Sequence, residues 1–246
     1  MRCWPRQAPE QQQGSQRHAG DAEIPVVLRL LAGNDGSLRW RGSMHADLQR
    51  LPVSASWFQR LDRSFAQLGG NLVLPLLILA VPWGQELIDQ LFFAGRWNLP
   101  MGPGSSFVGV LTAPFSHGGF GHLLANSLVF VPLSWLVLLK GRRDYLAVWL
   151  GVYATAIPVW LLWPTSNHGL SGVVYGLLAY LLLIGWLERR PLSLLLSLLC
   201  LISYGGVLPS LLPIFSPVGV SWIGHVSGFG GGLLAAWGMH RSPVDP

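Results

Sequence analysis

Six apolar stretches, at residues 68–85, 121–139, 145–163, 170–187, 191–213 and 223–240, dominate this chain of 246 residues. Each has the roughly 17 to 25 residues that a helix needs to cross about 30 Å of hydrocarbon. Lipid offers no water to unpaired backbone groups, so such segments are confined to structures that close their own hydrogen bonds. The expected fold is therefore all-α, a six-transmembrane-helix bundle with a short cytosolic N-terminal region. Composition agrees: charged residues are 11% of the chain, against about 25% in soluble domains.

The basic residues set the expected topology. Nine arginines precede the first stretch, Lys140, Arg142 and Arg143 follow the second, Arg189 and Arg190 the fourth, and Arg241 the sixth. Only Arg96 falls on the opposite face, so 15 of the 16 positive charges share one side. The positive-inside rule places that side, with both termini, in the cytoplasm of a multi-pass protein of the cell membrane, such as a bacterial inner membrane. The same dispersal argues against nucleic acid as a partner, despite the net charge of +5. Met1 is not followed by a charged region and an apolar core, so no cleavable signal is expected and the first span serves as the anchor. Cys3 and Cys200 lie too far apart in the sequence to suggest a disulfide framework or a metal motif.

Three regions are expected: a partly disordered cytosolic N-terminal region at 1–66, a membrane domain at 67–241 and a cytosolic tail at 242–246. Residues 1–23 are rich in Gln, Pro and charge, and Gly33-Asn34-Asp35-Gly36 sits between two short apolar runs as a hairpin turn would. Trp57, Leu61, Phe65 and Leu68 recur at helical spacing opposite Arg60 and Arg63. They suit either an amphipathic helix on the inner leaflet or a soluble helix packing on the hairpin. The loop at 86–120 is long, faces the exterior and carries Trp97, Phe107 and Phe115, aromatics that favour headgroup depth. Glu86 and Asp89 stand at its start, where charges leave a span.

The chemistry-bearing residues gather at the outer ends of three stretches. Ser171 opens the fourth between Gly169 and Gly172, which permit tight backbone turns and leave the serine amide free at a helix start. A serine there is ordinarily an N-cap. His225 lies in the outer half of the sixth stretch, where an ionisable side chain is costly and marks a functional site. Gly172 and Gly176 on one helix, and Gly224, Gly228 and Gly232 on the other, form small-residue stripes that allow close approach. Packing stripe on stripe would bring the serine hydroxyl to the imidazole as a nucleophile and its general base; the same spacing fits generic glycine packing with His225 bonded to a carbonyl. Tyr175, one turn below Ser171, could support the imidazole ring or simply fill the core. A carboxylate to complete a triad is missing, because Asp144 and Glu188 are at the inner face and Glu86 and Asp89 are across the outer loop. A dyad is the economical reading. On the second stretch His122 and Asn126 share a face, preceded by His117, and could either donate to an oxyanion or brace the bundle. Bracing is the preferred reading for His117.

These residues resemble the motifs of the rhomboid intramembrane serine proteases: His117-x4-His122-x3-Asn126, Gly169-Leu170-Ser171-Gly172 followed by Val173-Val174-Tyr175, and Gly224-His225-x2-Gly228-x3-Gly232. The likeness covers all six stretches, with the three motifs in the family's order. It implies a rhomboid-like bundle in which Ser171 is the nucleophile and His225 the base. By the same likeness His122 and Asn126 contribute to the oxyanion hole, and the substrates are single-span membrane proteins cut near the outer end of their helix. No cofactor and no metal are implied. The pair Arg96-Trp97 departs from the order Trp-Arg that many relatives carry, and His168 could contact substrate or line the water pocket. Other classes fit these residues less well. Four outer histidines could in principle hold zinc, but no HExxH motif accompanies them. A non-catalytic, client-binding rhomboid-like protein typically lacks the serine or the histidine, and this chain has both. A transporter is weaker still, with no repeat of the spans and no acidic residue at mid-membrane.

Overall fold

The computed structural model describes residues 53–217 and 219–240, with side chains from residue 69 onward. The expected hairpin, the stretch 1–23 and the tail 242–246 lie outside the described residues. The first helix, α1, runs from Val53 to Ile88 and ends in a π-turn, Asp89–Phe93. Residues 57–68 are thus helical and continuous with the first span. A short α2 (Phe107–Thr112) and a 3-10 turn (Ala113–Phe115) lie in the outer loop. There follow α3 (Phe120–Leu138), α4 (Arg142–Leu162), α5 (Ser171–Glu188) and α6 (Pro191–Tyr204), the last extended by a 3-10 segment, Gly205–Leu211. The final helix, α7, is Trp222–His240.

Five helices among the described residues are long and apolar enough to cross a membrane: Gly69–Phe93, Phe120–Leu138, Arg142–Leu162, Ser171–Glu188 and Pro191–Leu211. The count of six expected from sequence is reached only with α7. Its glycines and two histidines dilute its apolarity, yet it packs more extensively on α5 and α4 than any other helix pair packs. The chain is thus a helical, multi-pass membrane protein.

Burial follows composition. Helix α5 is apolar on every side, and Val173, Leu177, Leu178, Leu181 and Ile184 are all fully buried, which makes it the bundle's centre. Helix α6 instead presents Leu198 and Ile202 outward, as a lipid-facing helix does. Glycine decides how α7 enters. A Cβ on Gly228 would sit 1.9 Å from the carbonyl oxygen of Gly172, and one on Gly232 1.9 Å from that of Gly176. On its other side a Cβ on Gly231 would come within 2.6 Å of the Gly151 backbone in α4. Backbone therefore touches backbone along both seams.

The acidic residues at the start of the outer loop are not solvated charges leaving a span. Glu86 and Asp89 are fully buried. Asp89 Oδ1 accepts the Trp97 amide at 2.7 Å, while Gln85 Nε2 donates to the Trp97 carbonyl at 2.8 Å. Together these residues clamp the returning loop onto α1. At the opposite end, Lys140 Nζ meets Glu188 Oε2 at 2.6 Å, and His240 bridges Asp144 (2.8 Å) and Glu188 (3.1 Å). Tyr180 also donates to Asp144. This network ties α3, α4, α5 and α7 together and keeps those carboxylates away from Ser171.

Candidate active site

The serine turn is built by tethering a short loop to the outer segments. Met101 and Asn167 exchange backbone hydrogen bonds of 2.9 and 2.8 Å, and the Gly169 amide donates to the Ala113 carbonyl at 2.8 Å. The Leu170 amide donates to Nε2 of His117 at 3.1 Å. His117 is fully buried, and that burial, reinforced by the nearby His122 and His168, pushes its pKa down to about 3. It therefore stays neutral, with Nε2 available as an acceptor. Gly169 adopts φ +111°, a conformation that favours glycine.

The N-cap of α5 is Leu170, and no side chain caps the helix. Ser171 is accordingly the first helical residue and not a cap. Among the described residues its hydroxyl has no hydrogen-bond partner, and neither do the amides of Ser171 and Gly172. Unpaired first-turn amides carry the positive end of the helix dipole. A Cβ on Gly169 would lie 3.1 Å from Cε1 of His122 and 3.9 Å from Nδ2 of Asn126, so the serine turn rests against the face that those two residues share. Asn126 is buried, and its Nδ2 donor has no partner among the described residues.

His225 sits on α7 beside the seam with α5. The position of a Cβ on Gly172 is 3.4 Å from the Gly224 carbonyl oxygen, so the first turn of α5 lies against the turn of α7 that carries His225. The Tyr175 ring stacks on the imidazole with centroids 4.3 Å apart and an interplanar angle of 22°. Nδ1 of His225 lies 3.3 Å from the carbonyl oxygen of Ser210. A carbonyl can only accept, so this pairing selects the tautomer with the proton on Nδ1 and leaves the lone pair on Nε2. Ser171 and His225 are not hydrogen-bonded to one another here; such contacts often close only when substrate is bound.

A cavity of about 240 Å³ opens on this seam, and His122, His168, Gly169, Ser171, Gly172 and Gly228 are among the residues that line it. His225, Asn126, His117 and Tyr175 are not part of that lining. The arrangement gives a hydroxyl and free backbone amides at the wall of a cavity large enough for several waters, with a ring nitrogen on the helix alongside.

The sequence matches the family model of the Rhomboid domain over residues 104–242. This chain belongs to the rhomboid family. An uncharacterized protein of Mycobacterium tuberculosis is 35% identical over 189 residues, covering 69% of this chain and 74% of that protein. One of Mycobacterium leprae is 33% identical over 177 residues, covering 66% and 68%. A protein of Acanthamoeba polyphaga mimivirus whose name carries the word rhomboid is 28% identical over 138 residues, covering 53% and 74%.

Sequence reading missed Ser210 in this rhomboid. Its carbonyl and its hydroxyl, the latter at 3.4 Å, both face Nδ1 of His225, and the hydroxyl also meets that of Tyr175. Tyr175 Oη donates to the Val207 carbonyl at 2.9 Å, so the 3-10 segment anchors both stacked rings. Gly205-Gly206 and Pro209 were the local hints that the sixth helix ends in a non-α segment capable of offering carbonyls sideways.

Proposed function

We propose that this rhomboid is an intramembrane serine endopeptidase that cuts membrane-protein substrates near the outer end of a transmembrane segment, using Ser171 as nucleophile and His225 as base. The observation that carries the reading is a serine hydroxyl with no partner, at a cavity wall, beside a histidine whose Nδ1 is already committed to a carbonyl. Nε2 of His225 takes the proton as Oγ of Ser171 attacks the scissile carbonyl, and the peptide oxygen becomes an oxyanion. The Ser171 amide, the Asn126 amide group and a ring N–H of His122 stabilise it. When the C–N bond breaks, His225 returns the proton to the leaving nitrogen; water then hydrolyses the acyl-serine by the same exchange. Gly172 and Gly228 support this by letting the two helices touch, and Tyr175 and His117 hold the base and the serine turn. In this reading residues 67–241 form the protease domain, with 1–66 and 242–246 on the cytoplasmic side, and the substrates share the surrounding lipid.

Asn126 gives a test that separates catalysis from bracing. A buried amide donor with no partner costs about 1 to 3 kcal/mol, so it contributes little as glue. Asn126→Ala should lower turnover by about 10- to 1,000-fold with a smaller change in KM, and should leave the thermal midpoint near that of the parent. Intact turnover with a lowered midpoint would make Asn126 structural.

The substrate class is tested in proteoliposomes. A substrate helix bonds its own carbonyls and must unwind before a peptide reaches Ser171, and unpaired backbone in lipid costs several kcal/mol. Gly and Pro already weaken a helix by about 1 and 3 kcal/mol relative to Ala. Replacing them by Leu near the outer end of a cleaved segment should slow hydrolysis without preventing insertion. Equal cleavage of an all-Leu segment, or a cut at the cytoplasmic end, contradicts the reading.

A further inference from the structure

A second concavity lies between α1 and α4, and its lining shares only Tyr153 with the serine cavity. Leu74, Leu77, Ile78 and Val81 form one wall at i, i+3, i+4 and i+7, and Tyr145 and Trp149 form the other, enclosing about 510 Å³. Phe115 closes the outer end and Arg142 the inner end. Of the polar groups on the walls, Tyr145 Oη pairs with Ser134 Oγ at 3.3 Å and Tyr153, which also lines the groove, donates to the Leu111 carbonyl at 3.3 Å, while the Trp149 indole N–H, which has no partner among the described residues, is itself buried. Leu77 leaves 62% of its surface uncovered, so α1 and α4 do not fill the space between them.

Arg142 is placed differently from its neighbours. Its Nε donates to Asn71 Oδ1 at 2.8 Å, and its Nη2 lies 2.6 Å from where a Cβ on Gly70 would be, so the absence of a side chain there lets the guanidinium dock on α1. Among the described residues no carboxylate pairs with it. The nearest acid in sequence, Asp144, is engaged by Tyr180 and His240. Docked through Nε, the fork keeps Nη donors for an anion at the mouth of the groove.

We propose that this groove is a binding site for an anionic phospholipid, with its phosphate on Arg142 and an acyl chain along the α1–α4 cleft. Length selects this occupant over a partner's transmembrane helix. From Arg142 to Tyr153 is eleven residues of α4, about 16 Å at the helical rise, or about half of a 30 Å hydrocarbon core. One leaflet's chain fits that depth, whereas a spanning helix overruns it. Charge selects the headgroup: a guanidinium with no carboxylate partner among the described residues, at one end of a largely apolar slot, complements a phosphate carrying net negative charge.

Native mass spectrometry of the full-length protein in mild detergent, offered equal phosphatidylglycerol and phosphatidylcholine, tests this. Phosphatidylglycerol should be retained preferentially. Arg142→Gln should weaken that retention about fivefold, the worth of one basic residue at a lipid surface, whereas Arg142→Lys should retain most of it. Arg143→Gln, which alters an exposed neighbour outside the groove, should change it little. Leu77→Trp, which fills the slot from an exposed position, should displace the lipid. Equal retention of the two lipids, or equal effects of Arg142→Gln and Arg143→Gln, would overturn the proposal. A dimer mass that Leu77→Trp abolishes would assign the groove to a second copy of the chain instead.

Discussion

Ser171→Ala and His225→Ala should each reduce hydrolysis of a transmembrane substrate in proteoliposomes by about 10⁴-fold or more, the scale seen when one member of such a unit is removed. The double variant should be no worse than either single one, because nucleophile and base act together. Both variants should fold. The Ser171 hydroxyl has no hydrogen-bond partner among the described residues, and His225→Ala removes a ring whose polar contacts, both to Ser210, are long at 3.3 and 3.4 Å. Retained proteolysis in Ser171→Ala, with loss of activity to a chelator, would point to histidine-bound zinc. A protein that holds a membrane client equally well in parent and variant, without cutting it, would instead be a rhomboid-like binder.

The second large effect concerns folding, and its sign depends on which glycine is changed. Gly228→Ala places a methyl 1.9 Å from the Gly172 carbonyl oxygen, a distance that requires α5 and α7 to separate. A loss of about 3 kcal/mol or more is expected, at the upper end of overpacking costs, because the obstruction is backbone and not a movable side chain. Gly230→Ala, two residues along the same helix, meets nothing within 4 Å. It should be neutral or stabilising by up to about 1 kcal/mol, since alanine restricts the unfolded chain and favours the helix. Thermal unfolding in detergent, followed by loss of soluble protein, distinguishes the two. Equal midpoints for Gly228→Ala and Gly230→Ala would mean that the seam is looser than the structure has it.

The glycines also show which parts of the structure were legible in the sequence. A four-residue repeat of Gly on two apolar stretches has one economical explanation, close helix contact, and the contact found at Gly172, Gly176, Gly228 and Gly232 is of that kind. Tyr175 stacked on His225 follows from the same geometry, because a residue one turn below Ser171 must face the same seam. The position of α7 was legible through its pattern and not through its apolarity, since the glycines that allow its packing also make it the least membrane-like of the long helices.

What could not be read from sequence depends on contacts across many residues of chain. Glu86 and Asp89 look like charges leaving a span. Only the return of Trp97 to the end of α1 supplies the backbone donor that makes Asp89's burial tolerable. Ser210 is unremarkable in an apolar run until a 3-10 segment turns its carbonyl toward Nδ1 of His225. The group beside Nδ1 of His225 is a main-chain carbonyl, which, unlike a carboxylate, leaves no residue-type signature. Likewise Arg142 reads as one more inner-face positive charge until Gly70 and Asn71 are seen to hold it at the groove.

Activation of Ser171 as a nucleophile is read out by labelling of the detergent-solubilised protein with a fluorophosphonate probe. The proposed dyad predicts covalent modification at Ser171, located by peptide mass spectrometry, that is lost in His225→Ala while the protein remains folded. An unlabelled Ser171 in folded parent protein, or labelling that persists undiminished in His225→Ala, would contradict it.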